Sequence, residues 1–153
     1  MIKEIKKYIR QILIESVDYP YIYHGTSASA ARSIKEQGFD ISLSGKKTNR
    51  DNPGISFTAS EEIAFEHAEW ASKEFGELPA MVVVTTRNLN IMNGTEFQEL
   101  WNEKGYEKAI SSAKNLGYDG VEYFDYETGD GIEEMEVLLF YPDKINIFRA
   151  YEL

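Results

Sequence analysis

Within seven residues, Tyr21-Ile22-Tyr23-His24-Gly25-Thr26-Ser27, the chain passes from aromatic and branched side chains to a glycine and two hydroxyl residues. The first part suits a strand over 21–24 and the second a turn into a helix. This junction constrains the fold more than any other stretch. Glycine lets a ligand approach the backbone closely, and a strand end facing a helix start is a place where polar groups converge on a bound molecule. Ser27 is a fitting N-cap for a helix over 28–37, and Gly38 a fitting stop.

Punctuation divides the rest into short elements. Ile2, Ile5, Ile9, Ile12 and Leu13 recur at helical spacing among Lys and Arg, predicting an amphipathic helix within 1–18 that docks on its own domain. Residues 40–52 are polar, hold Lys46, Lys47 and Arg50, and read as a loop. Gly54 to Thr58 follows a Pro-Gly turn as a strand. Ser60 then caps a helix opening on Glu61 and Glu62, whose inner face is expected to be Ile63, Ala64, His67, Ala68 and Ala71, with Gly76 ending it. Residues 81–86 read as a buried strand. Residues 95–116 read as one or two helices with a break at Gly105 and a stop at Gly117. Residues 120–124, 136–141 and 145–148 read as closing strands. Strands so irregularly interleaved with helices exclude a regular doubly wound sheet, leaving one α+β domain over 19–153 with an added N-terminal helix.

A chain of 153 residues, 42% hydrophobic and 13% aromatic, can build a proper core. It has no cysteine, which excludes disulfides, thiolate metal sites and a cysteine nucleophile and fits a reducing compartment. Its net charge of −10 disfavours non-specific nucleic-acid binding, which needs Lys and Arg to neutralise phosphate. Eight carboxylates and no Lys or Arg fall within 119–136. No run has membrane-spanning length and no signal-peptide h-region is visible, so a cytoplasmic location is expected.

Two elements can carry chemistry. His24 stands at the strand-to-helix junction, where a histidine satisfied within the fold is the competing reading. The other histidine, His67, has no partner at metal-ligand spacing, so no metal site is expected. Gly-x-Ser-x-Gly is absent, which argues against a serine hydrolase. In Glu134-Met135-Glu136-Val137-Leu138-Leu139-Phe140, strand alternation puts Glu134 and Glu136 on one face. A carboxylate opening an apolar strand is costly unless it is hydrated, paired or used.

Taken together, Tyr23-His24-Gly25-Thr26, Gly54-Ile55-Ser56-Phe57-Thr58 before an alanine-rich helix, Gly117-Tyr118-Asp119-Gly120-Val121, and Glu136 to Ile145 resemble the ADP-ribosyltransferase superfamily. The similarity is to the branch with a His–Tyr–Glu signature, which includes diphtheria-type toxins and poly-ADP-ribose polymerases, and within it to compact phage and mobile-element members. It covers residues 21–147 and implies that family's split mixed β-sheet with flanking helices.

The resemblance implies NAD as substrate, with no metal, and ADP-ribose transfer to a macromolecular acceptor, expected to be protein, in the protein's own cell or a host's. It places His24 on the NAD ribose, the Gly25 backbone on the nicotinamide carboxamide, Thr26 and Ser27 nearby, and Glu136 on the nicotinamide ribose. Glu134 takes the first place of a Glu-x-Glu pattern and assists the acceptor. Arg32, Lys46, Lys47 and Arg50 are the candidate pyrophosphate cations, Arg32 having a surface salt bridge as its competing reading. The family's stacking tyrosine corresponds to Ser56. Phe57 follows it but should face the other side of the strand, so Phe65 or His67 is expected to supply the aromatic surface, with Tyr123 and Tyr126 as further candidates. The acidic stretch falls where the family recognises its acceptor and suits a basic protein. The alternatives are an NAD glycohydrolase, with water as acceptor, and a non-catalytic domain that binds a nucleotide or a protein.

Overall fold

In the computed structural model, residues 19–40, 53–125 and 134–153 are described. The helix expected within 1–18, the loop cations Lys46, Lys47 and Arg50, and residues 126–133 of the acidic stretch, Tyr126 among them, lie outside them. The described chain is one α+β domain built on seven strands, β1 Tyr21–Ser27, β2 Ile55–Thr58, β3 Pro79–Thr85, β4 Ile91–Met92, β5 Gly120–Asp125, β6 Glu134–Leu139 and β7 Asn146–Glu152. Four helices accompany them, α1 Ala28–Gln37, α2 Glu61–Phe75, α3 Gly94–Lys104 and α4 Tyr106–Asn115.

The helix boundaries follow local chemistry. Ser60 accepts the Ile63 N–H, and Glu61 and Glu62 fill the first turn of α2. Gly76 and Gly105 end α2 and α3 with positive φ, and Gly117 follows α4 in the same left-handed region. Ser27 holds the N-cap position of α1, but its hydroxyl makes no capping bond. The strands depart from expectation where pairing overrides composition. Strand β1 runs on through Gly25 and Thr26 because they pair with Met81 and Ala80. Strand β6 starts at Glu134 and stops at Leu139, and β7 extends to Glu152 against Ala80. The two-residue β4, which pairs parallel to β5, was not expected.

The strand order is β4-β5-β6-β2-β1-β3-β7, antiparallel except at β4–β5. One seam differs from the rest. Strands β1 and β3 share seven paired positions, whereas β1 and β2 share only Tyr23 opposite Thr58. The sheet therefore falls into a half of β1, β3 and β7 and a half of β2, β6, β5 and β4.

Both faces are covered. On one, Ile22, Phe57, Val82, Val84, Val137 and Leu139 form a buried layer across both halves, closed by Ala31 and Ile34 of α1 and by Phe39. On the other, α2 lies over the first half, Ala64 packing on Met81 and Val83, while α3 and α4 cover the second, Phe97, Ala109, Ile110 and Ala113 packing on Val121 and Leu138. The inner face of α2 is Ala64, Ala68 and Ala71, all buried, and His67 is exposed instead of belonging to it. The small alanines let the helix backbone settle onto Gly25, which narrows the buried stripe and leaves position 67 outside it. No helix among the described residues is long and apolar enough to cross a membrane.

Candidate active site

The two helical covers on the second face leave a strip of sheet between them, and cross-strand register fixes what it displays. Tyr23 on β1 is opposite Thr58 on β2, Thr58 is opposite Glu136 on β6, and Glu136 is opposite Tyr123 on β5. Residues directly opposite in a ladder share a face, so these four side chains form one row. Ser56 lies two residues from Thr58 and joins that face. Thr58 is buried, its Oγ1 accepting the Ser60 N–H at 3.1 Å. Tyr23, Ser56, Tyr123 and Glu136 keep part of their surface open.

Tyr123 ties the strip together. Its ring packs at the edge of the α3–α4 cluster and its hydroxyl donates to Glu136 Oε2. Burial, and then the charge of Glu136, pushes the Tyr123 ionisation well above the ordinary tyrosine range, while Ser56 opposes the shift. Tyr123 therefore stays protonated and keeps its donor at physiological pH. Across the row, burial and the carboxylate of Glu61 also raise the Tyr23 ionisation.

His24 belongs to the other face. It pairs with Val82, whose side chain lies in the first layer, and its ring meets Phe39 edge-on at 5.4 Å and Phe57 at 5.7 Å. Its Nδ1 is 3.0 Å from the carbonyl of Ser56. A carbonyl only accepts, so Nδ1 carries the proton, and in the neutral ring Nε2 is the acceptor. This bond sits at the seam. Continuing the register from Tyr23–Thr58 would bring Gly25 opposite Ser56, but the ladder holds no such pair, and the Ser56 carbonyl receives the imidazole proton.

The anticipated site residues are thus partly assembled. His24 and Glu136 project to opposite faces, the first held by the Ser56 carbonyl and the second by the Tyr123 phenol. Gly25, Thr26 and Ser27 line the β1 side of the seam, Ser27 buried. The backbone of Glu134 pairs with Asp125 at the open end of β6. Phe57 is 2% exposed in the core, on the face opposite Ser56 as its position required. Phe65 and His67 lie on the solvent side of α2, outside the cluster that packs on the sheet. Arg32 is exposed on α1 and, with Lys35, Tyr151 and Glu152, borders a groove of about 190 Å³. That is below the roughly 300–1,000 Å³ of small-molecule pockets, so the groove is not a preformed dinucleotide site.

Tyr23 and the Tyr123–Glu136 bond are what sequence reasoning missed. The signal was alternation within each strand, but choosing partners needed the strand order. Among the described residues no group of three or more His, Asp or Glu could hold a metal ion. Comparison with protein-family models, with curated proteins and with solved structures finds no match to this chain.

Proposed function

We propose that the protein is an NAD-dependent mono-ADP-ribosyltransferase acting on a macromolecular acceptor, with protein the favoured class. The observation that carries this reading is Glu136, a carboxylate held by Tyr123 on an open strip of sheet, one strand from the seam at His24 and Gly25. In this reading the C1′–N bond of the nicotinamide ribose breaks, and nicotinamide departs with the bonding electron pair. Positive charge develops on the ribose, and Glu136 stabilises it more in the transition state than in the ground state. The acceptor nucleophile bonds to C1′ and loses its proton, a step Glu134 assists from the start of the same strand. The β1 backbone from His24 to Ser27 meets the cofactor along the seam, and Arg32, beside Tyr151 and Glu152 of β7, is the proposed pyrophosphate cation. The split mixed sheet with flanking helices that this family implies is likewise proposed on the strength of the single β1–β2 pair.

Labelled NAD, incubated with wild type and with Glu136→Gln, each with and without cell lysate, tests the reading. Label on a macromolecule with wild type only is the expected result, and on a protein it fixes the acceptor class. A folded Glu136→Gln that transfers at the wild-type rate overturns the assignment. Free ADP-ribose without a labelled acceptor identifies a glycohydrolase. Saturable nucleotide binding without turnover identifies a non-catalytic binding domain, the reading that a serine at position 56 favours.

A further inference from the structure

Strand β7 closes one end of the sheet, so among the described residues its outer side pairs with no strand. Its backbone polarity can be read from one bond. The Leu153 N–H donates to the Pro79 carbonyl at 2.9 Å. Glu152 pairs with Ala80, so Leu153 stands opposite Pro79 at a hydrogen-bonded position of the antiparallel ladder. Such positions alternate along the strand. Leu153 and Tyr151 therefore bond inward to β3, while Ala150 and Glu152 turn their N–H and C=O groups outward. A row of outward groups is a template for another extended chain.

Side chains of an added strand would alternate between the two faces, and each face has something to receive them. On the α1 side, Ala28, Ala31 and Ala150 line the groove of about 190 Å³, together with Arg32 and Lys35. On the α2 side, the register shift between Val83 and Val84 leaves Phe148 without a ladder partner. Its ring packs on Tyr21 at 4.8 Å and stays 62% exposed. Beside it, the Arg149 guanidinium lies over the Tyr151 ring at 4.5 Å.

Charge selects the occupant. Arg32, Lys35 and Arg149 border this edge, and all three are exposed. Against them stand Glu152 at the strand end and Glu61, which together with burial raises the Tyr151 ionisation. Three cations to two carboxylates reverses the balance of a chain with 26 Asp and Glu to 16 Lys and Arg. A second copy pairing through β7 would bring both sets of cations together, which opposes a homodimer. An acidic segment would neutralise them.

We propose that the outer edge of β7 docks an extended, acidic segment of a partner protein, which adds one strand to the sheet. An apolar side chain of that segment rests on the Tyr21–Phe148 pair, and its carboxylates meet Lys35 and Arg149. The edge lies four strands from Glu136, and the proposal does not draw on the NAD reading. Arg32 is the one residue the two have in common, so the test leaves it unchanged.

The probe is a pool of blocked octapeptides that alternate Glu with Val, Leu or Phe. A matching pool carries Lys in place of Glu. Each is titrated into the 15N-labelled full chain, and backbone amides are followed by NMR and hydrogen exchange. The acidic pool shifts and protects the amides of Ala150 and Glu152, and the Lys pool does not. Lys35→Glu combined with Arg149→Glu weakens the acidic pool by about tenfold or more and lets the Lys pool bind. Phe148→Ser weakens the acidic pool while keeping the preference for it over Lys.

If millimolar acidic pool leaves both amides unmoved, the inference is overturned. An equal response to the Lys pool overturns it too, because the edge then selects no charge. Protection of the same amides without peptide, rising with protein concentration alongside a dimer in sedimentation, assigns the edge to a second copy instead. No outcome depends on NAD turnover.

Discussion

Gly25 of β1 lies so close to α2 that a Cβ built on it would stand 1.8 Å from the carbonyl oxygen of Ala64 and 2.7 Å from the amide nitrogen of Ala68. Both obstacles are helix backbone, so neither can swing aside as a flexible side chain would. The glycine is required by the approach of helix to strand before any ligand is considered. Gly25→Ala is therefore expected to destabilise the fold by about 3 kcal/mol or more, at the upper end of overpacking costs. Urea unfolding measures it, and a variant within about 0.5 kcal/mol of wild type would show that α2 shifts freely.

His24 gives a graded case. His24→Ala removes the donor to the Ser56 carbonyl and two ring contacts, and leaving a part-buried acceptor unpaired costs about 1–3 kcal/mol. His24→Asn keeps a short N–H donor and should recover part of that stability. If His24 also holds the cofactor, His24→Asn regains stability without regaining NAD turnover. Parallel thermal melts and NAD assays separate the two roles, and joint recovery would confine His24 to structure.

Glu122 on β5 shows the opposite electrostatic situation from a solvated carboxylate. Burial raises its pKa above the ordinary 4.5, and the facing Tyr19 phenol only partly counteracts this. The sign follows from linkage. Between the unfolded and the raised folded pKa, the folded state holds the proton that the unfolded state has lost, so stability falls as pH rises through that window. Glu122→Gln removes the charge and keeps the size of the side chain. It should melt above wild type at pH 7, and the difference should vanish near pH 3. An equal gain at both pH values would point to packing instead.

Local chemistry was legible in the sequence and pairing was not. Ser60, Gly76, Gly105 and Gly117 mark element ends through interactions within a few residues, and each stands where its chemistry predicts. Ile91–Met92 is too short to carry any periodicity, and only β5 beside it makes it a strand. The candidates Glu136, Tyr123 and Ser56 could all be named from the chain. That they share one face of the sheet depends on β6 lying between β5 and β2, set by contacts tens of residues apart. His67 falls outside the buried face because helical spacing defines a stripe but not its width, which here the close fit of Ala64 and Ala68 on Gly25 decides.

The single pair joining β1 to β2 also bears on how the chain reaches this fold. The half containing β1 and β3 is completed by β7 at residues 146–152, while the other half uses β2, β4, β5 and β6 from the interval between. The two halves are threaded through one another in sequence, so neither can finish as an independent early unit. Distant pairings of this kind make folding slow, because loop closure must precede the contacts that reward it. Amide exchange should then report two blocks of protection meeting at Tyr23 and Thr58, the line along which the native sheet opens first.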